Sequence, residues 1–480
     1  MYEEYLNVID SIKEELYQLS DEIWECPEIA FREKKSVQIL TTYLGKKGFT
    51  VECPAYGIET AFVAAYGAGR PYIGILGEFD ALAGLSQKSG VAKKESLVEG
   101  GNGHGCGHNL LGVGSLAAAM IVKDYLQKTG NSGTVFYYGC PAEEGGSGKA
   151  FMAREGAFSE LDAAFCWHPA ELNEVMQESS LANVQVRYRF DGLSAHAAEN
   201  PEDGRSALDA LELMNVGVNF LREHMSSQAR IHYAVTDAGG VSANVVQAHA
   251  EAVYLIRDTD MQKTYRLWNR VNRIAEGMAE AMEVKVEWQL IKSCSNLISN
   301  RVLEHCLYQG FLESKPPVYS EEDLQLAKAF ADTTRGVMET RLQKRMETMI
   351  YPQSRSILEQ HLGEDIFTGI VPYEERAAQG LLSGSTDVGD VSWQCPTAQI
   401  RTATWAAGSG GHSWQIVAQG KGGQAHKGML YAGKVMGHAV LQLLEKPELL
   451  RQAKAEFDAF RKDREYIPIP KEIHPVPLGK

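Results

Sequence analysis

Short apolar runs recur through the first third of the chain, and each ends in a polar group. Tyr72 to Leu76 leads into Gly77-Glu78-Phe79-Asp80. Thr134 to Tyr138 leads into Gly139-Cys140-Pro141-Ala142-Glu143-Glu144, and Ala163 to Trp167 leads into His168. Runs of this length and composition read as buried strands. Between the first two, Leu110 to Leu126 is rich in Leu and Ala and is followed by Gly130, which predicts a helix with a glycine stop. Strands alternating with helices predict an α/β domain with a mostly parallel central sheet flanked by helices. In such sheets ligands bind beyond the carboxyl ends of the strands, where these acids and the histidine fall.

The pattern changes near residue 182. Val184, Val186, Tyr188 and Phe190 alternate with Gln185, Arg187 and Arg189, as in a strand with one face buried. A helix is predicted over Arg205 to His224, strands over Ile231 to Val235 and Val245 to Ile256, a helix over Met261 to Met282, and a last strand through Val284, Val286, Trp288 and Leu290. The order β-α-β-β-α-β fits a ferredoxin-like unit. We therefore expect a catalytic domain in two parts, 1–181 and 296–480, with an α+β dimerisation or lid domain inserted at 182–295. Ser320 to Met349 is strongly charged and poor in β formers, so a helical insertion at about 315–380 is expected, as a solvated helix pair over the core. Ser383 to Trp393 and Gly408 to Trp414 are glycine-rich loops, and the four prolines after Ile467 predict an extended tail. Near the start, Tyr5, Val8, Ile9, Ile12, Leu16, Leu19 and Ile23 form the stripe of an amphipathic helix.

The remaining bulk properties narrow the function classes. The chain has 480 residues, 44% hydrophobic and 23% charged, an ordinary globular balance. Its 47 Lys and Arg against 62 Asp and Glu give a net charge of −15. That acidity, with no basic patch, argues against nucleic-acid binding. No apolar run is expected to span a bilayer, and the charged N-terminus lacks a signal-peptide core. Eight scattered cysteines in such a chain are expected to be reduced thiols, which implies a cytoplasmic location.

Four clusters carry candidate chemistry. In Gly103-His104-Gly105-Cys106-Gly107-His108-Asn109, a thiolate and an imidazole two residues apart can grip one divalent ion, with glycines letting the backbone fold tightly around it. Glu143 and Glu144 follow a strand directly, so one can bind metal while its neighbour serves as general base. The following GGSGKA is not a phosphate loop, because Glu143 stands where the first glycine is needed and Ala150 replaces Ser or Thr. His168 shares the same sheet edge. His412 or His426 could add a ligand from the far end of the chain, and Asp80 could bridge two ions or orient a ligand histidine. This donor set suits Zn²⁺, Mn²⁺ or Co²⁺ in a paired site.

With these motifs assembled, the chain resembles the amidohydrolase branch of the aminoacylase and carboxypeptidase family of dinuclear metallopeptidases. The resemblance covers nearly the whole chain. Its marks are GEFDALAG (77–84), NGHGCGHNLLG (102–112), GCPAEEGGSGK (139–149), WHPA (167–170), SAHAA (194–198), NVVQA (244–248), STDVGDVSW (385–393) and AHKGM (425–429). It implies Cys106, His108, Glu144, His168 and His412 as ligands of two divalent ions, Zn²⁺ or Mn²⁺. It implies Glu143 as general base and Asp80 as the aspartate beside the metals. It further implies His196 as an inserted-domain histidine reaching a partner chain's site, with Asn244 and Arg257 contacting the substrate carboxylate or the oxyanion. Two positions depart from the family. Glu78 replaces the histidine many relatives carry, and Asn109 stands where most of the branch has Asp, a change that bears on metal preference.

The activity so implied is hydrolysis of the amide bond of an N-acyl or N-aroyl amino acid, such as p-aminobenzoyl-glutamate, in a homodimer or a heterodimer with a related subunit. Two rivals of other classes are a partner subunit that completes another chain's site, which the intact ligand set argues against, and a Cys106 thiol nucleophile paired with His108, which would resist chelators. A dipeptidase of the same family is the nearer alternative.

Overall fold

The structure, a computed structural model, describes residues 2–334, 340–375 and 380–477. Its strands, in chain order, are β1 (Thr50–Glu52), β2 (Phe62–Ala68), β3 (Tyr72–Glu78), β4 (Gly133–Cys140), β5 (Ala163–Ala170), β6 (Glu174–Met176), β7 (Ser179–Ser180), β8 (Ala182–Asp191), β9 (Arg230–Asp237), β10 (His249–Asp258), β11 (Lys285–Cys294), β12 (Leu381–Leu382) and β13 (Thr397–Ala403). Seven of them form one sheet in the order β1-β2-β4-β3-β5-β13-β6. The inner four, β4, β3, β5 and β13, pair in parallel. The pairings of β1, β2 and β6 are antiparallel. Residues along β5 and β13 are buried nearly throughout, as expected for strands covered on both faces.

The helix predicted from Leu110 begins earlier, at His108, and runs to Thr129, where Gly130 stops it at φ +68°. It packs against the helix Gly423–Glu445, whose Gly433 permits close approach: a Cβ there would lie 2.7 Å from Ala117 Cβ. By length and composition His108–Thr129 could cross a membrane, which corrects the expectation that no run is long enough. However, 89% of its apolar window is buried inside the protein, as in a core helix. The N-terminal stripe folds as Glu3–Leu6, a 3₁₀ segment Asn7–Ile12, and Lys13–Trp24, burying Ile9, Leu16, Leu19 and Ile23.

A second sheet, antiparallel throughout, has the order β11-β8-β10-β9. The helices Ala207–Leu221 and Met261–Ala281 pack on it, and Val186, Tyr188, Leu211, Met214 and Val271 lie in a core separate from that of the large sheet. The strand expected from Val245 starts only at His249. Residues before it form a loop that pairs back on the His196 segment, with Ala197 N donating to Asn244 O at 3.0 Å.

Ser320 to Met349, expected as a helix pair, holds two helices among the described residues, Glu321–Thr334 and Arg341–Thr348, and Pro352–Glu359 follows them within the expected insertion. Phe330, Leu342, Met346 and Leu358 pack there against Ala403 and Ala406 beyond the end of the large sheet. Residues 335–339 and 376–379 of that expected insertion, and 478–480 of the tail, lie outside the described residues.

Candidate metal centre

The candidate donors sit at strand ends, in loops and at a helix start. Glu78 ends β3 and Asp80 follows two residues later. Gly107, at φ +76°, makes the turn that sets Cys106 beside His108, the first residue of its helix. This left-handed turn needs glycine. Glu143 opens a single helical turn after β4. His168 belongs to β5, and His412 lies in the loop after β13. Ala142, Ser147 and His412 also adopt positive φ without being glycine. Such backbone is costly, and at a site it is held by its surroundings.

These turns converge. Cys106 Sγ lies 3.3 Å from His168 Nε2. His412 Nε2 lies 3.3 Å from Glu144 Oε1. His108 Nδ1 is 2.8 Å from Asp80 Oδ1, while the other Asp80 oxygen accepts from Glu144 N at 3.0 Å. His168 Nδ1 is 2.7 Å from Pro169 O. With Nδ1 donating to Asp80 or to a carbonyl, each ring turns Nε2 toward the other donors, the arrangement a ligand histidine needs. Among the described residues, three donor trios come within 4.8 Å: Cys106, His108 and His168; Cys106, Glu144 and His412; and Glu78, His108 and Glu143. The first two share the thiolate.

The electrostatics favour a cation. Burial works against a charged His108, yet Asp80 and Cys106 outweigh it and raise its pKa well above the ordinary value. Burial, then the Glu144 carboxylate, pushes the Cys106 thiol far up. Burial, then the charges of Glu78 and Glu144, pushes Glu143 far up. Burial also acts upward on Glu144, but the His412 contact overcomes it and holds the carboxyl at about 2. Neighbouring anions contribute to the upward shifts of His108, Cys106 and Glu143. Buried His108 Nε2 and Glu144 Oε1 have no hydrogen-bond partner of good geometry. A cysteine sulfur, three imidazoles and carboxylates with unpartnered acceptor atoms fit divalent metal ions.

Behind the donors lies a network that sequence reasoning missed. Lys149 Nζ donates to Glu78 Oε1 at 2.6 Å and to Asp387 Oδ1 at 2.7 Å, and all three residues are buried. Lys149 is the lysine of the rejected phosphate loop. Its sequence signal was a lysine five positions after a strand-end acidic pair. Glu33 Oε1 accepts from the backbone N of Phe31 and of Ala142, bracing the turn that presents Glu143.

The donors open onto a cavity of about 650 Å³, lined by Cys106, Glu143, Glu144, His168 and His412. Arg257 lines it too and donates to Ser385 Oγ at 2.9 Å. His196 and Asn244 are exposed on the smaller sheet unit, outside this cavity. His426 stacks on Tyr17 and contacts Asp21 at 2.9 Å, so of the two late histidines His412 alone joins the cluster. Asn109, next to His108 in the chain, is buried. Its amide donates to Ser20 Oγ and Gly420 O, each at 3.1 Å, and so fastens the helix to its surroundings.

Comparison with known proteins follows the same line. The description "Peptidase family M20/M25/M40" matches residues 74–379. The chain is 42% identical over 473 residues to one of the subunits of p-aminobenzoyl-glutamate hydrolase of Escherichia coli (strain K12), covering 98% of each chain. Its fold is similar to that of an aminobenzoyl-glutamate utilization protein from Klebsiella pneumoniae, with a TM-score of 0.59 at 15% identity over 92% of this chain and 98% of that one. It is also similar to a dinuclear metal-binding M20 peptidase from Bacillus subtilis, with a TM-score of 0.54 at 15% identity over 91% and 99% of the two chains. With the family description matched over more than half of its length and a relative of this identity along nearly all of it, the chain belongs to peptidase family M20/M25/M40.

Proposed function

We propose that this chain hydrolyses the amide bond of N-acyl or N-aroyl amino acids, with p-aminobenzoyl-glutamate, cut to p-aminobenzoate and glutamate, as the leading substrate. Metal-dependent amide hydrolysis accords with the family. The observation that carries the reading is the pair of donor trios sharing Cys106, with Glu143 beside them in the lining of a large cavity.

Cys106, His108, Glu144, His168 and His412 would hold two divalent ions, Zn²⁺ or Mn²⁺. When bound, the ions supply Lewis-acid activation of water and of the scissile carbonyl. Asp80 keeps His108 in the tautomer that presents Nε2. Glu143 takes a proton from the attacking water and hands it to the departing amide nitrogen. Its buried, anion-rich setting favours the protonated form between those two transfers. Arg257 supplies positive charge to the substrate carboxylate from the smaller unit.

We read residues 182–295 as a ferredoxin-like dimerisation or lid domain inserted into a catalytic domain formed by 1–181 and 296–480. The strand order of the antiparallel sheet supports this. Leu213, Val216 and Phe220 are exposed on the helix Ala207–Leu221, an apolar face suited to a second chain. His196 and Asn244, exposed and outside the lining of their own cavity, would complete a partner's site, His196 stabilising the oxyanion. The partner is a second copy or a related subunit. Eight free cysteines suit a reducing, cytoplasmic location.

The test is release of p-aminobenzoate by the purified chain, stripped with chelator and reloaded with Zn²⁺ or Mn²⁺. Chelation should abolish turnover and either metal restore it. Glu143→Ala should keep its metal and lose at least about 10²–10⁴-fold in rate. A fully metallated Glu143→Ala protein working at the wild-type rate would sink the reading.

A further inference from the structure

The cavity carries a second charged cluster that the hydrolytic steps leave unused. Arg401 on β13 stands in register with His168 on one side and with Glu174 on the other. Neighbouring strands lie about 4.8 Å apart, so this arginine sits one strand from a candidate metal ligand. Glu174 is buried, and its Oε1 accepts from Arg401 NH1 at 2.9 Å and from Arg341 Nε and NH2 at 3.1 and 2.9 Å. Arg345 Nε lies 3.4 Å from the other oxygen. One carboxylate therefore faces three guanidinium groups.

Nearby acids do not make up the difference at the cavity wall. Glu178 pairs with Arg345, at 3.3 Å. Glu171 accepts from the backbone N of Gly408 and Arg341. The remaining donors of Arg401, and NH1 of Arg341, have no partner among the described residues. Both arginines line the cavity, and so does Lys344, one turn on from Arg341 in the helix Arg341–Thr348. Fixed guanidinium forks with open N–H groups match a carboxylate in geometry and charge.

We propose that Arg401 and Arg341, with Lys344 at the rim, form a subsite for a second carboxylate of the substrate, so that the site selects N-acyl derivatives of dicarboxylic amino acids. The helical insertion, which supplies two of the three residues, is then a specificity element. The proposal rests on the hydrolytic reading for the bond that is cut, but not for what is bound.

The experiment separates the two. In the metallated Glu143→Gln protein, binding of 4-aminobenzoyl-glutamate is compared by calorimetry with binding of its side-chain amide, 4-aminobenzoyl-glutamine. The diacid should bind about tenfold tighter or more, the scale of a charge-assisted contact. Adding Arg341→Gln should cut that ratio to about two or less, and Lys344→Gln, on an exposed residue outside the Glu174 network, should lower it by about threefold. Equal binding of the two ligands, or a ratio that survives both substitutions in folded protein, overturns the subsite. Turnover of the unmutated enzyme reads the other claim. Hydrolysis without diacid preference removes the subsite and leaves the hydrolase. Tenfold binding preference without hydrolysis of either ligand does the reverse.

Discussion

At the scale of single residues, burial sets the protonation of the acids near the site. Asp390 is buried, accepts from Ser295 N and Oγ at 3.0 Å each and from Tyr466 OH at 2.9 Å, and burial pushes it up to about 7. In the unfolded chain an Asp titrates near about 3.9. The folded state therefore holds this proton more tightly. Its contribution to stability is full below about pH 4 and is lost as pH rises towards 7. Asp390→Asn should flatten the fall in urea midpoint between pH 5 and pH 8. Parallel pH profiles for variant and wild type would remove Asp390 as the cause. Cys106-Gly107-His108 was legible at this scale because its donors are two positions apart and the glycine between them announces a tight turn. Lys149 was not, because its partners Glu78 and Asp387 lie far from it in the chain.

At the scale of elements, that lysine ties three pieces together: the end of β3 through Glu78, the start of the helix Gly148–Arg154, and the helix Val388–Ser392 through Asp387. Its ammonium is wholly buried, so removing it strands two carboxylates away from water. Lys149→Met should cost about 3–5 kcal/mol, the usual toll of breaking a buried ion pair, measured by denaturant unfolding. A loss below about 1 kcal/mol would reduce the network to the level of a surface pair. The strands of the first third could be read from their unbroken apolar runs. The strand expected at Val245 was misplaced by four residues, since alternation cannot tell a paired strand from an extended loop docked on its neighbour.

At the scale of the whole molecule, the exposed His196 and the exposed apolar face of the helix Ala207–Leu221 make the site a matter of two chains in our reading. Mixing Glu143→Ala with His196→Ala chains tests this directly. If His196 serves the partner chain, each mixed dimer of a homodimeric enzyme regains one intact site. A 1:1 mixture then recovers roughly a quarter of wild-type activity by random pairing. No recovery above the separate variants would remove His196 from that role. The same scale explains the helix His108–Thr129, whose composition would suit a membrane and whose actual surroundings are the sheet and the helix Gly423–Glu445.

Taken by itself, the sequence determined the α/β class, the strand ends that bear donors, and the residues Cys106, His108, Glu143, Glu144 and His168. Each depends on local hydrophobic period or on neighbours in the chain, and local physics is what a sequence encodes directly. His412 needed a resemblance to be preferred over His426, and tertiary structure placed it against Glu144 while sending His426 to Tyr17 and Asp21. Tertiary structure alone brought Arg401, Arg341 and Glu174 together, and closed Lys149 between two acids. Those contacts join residues far apart in the chain across packed elements. Their energies come from burial and from convergence of charge, neither of which leaves a periodic trace in the order of the residues.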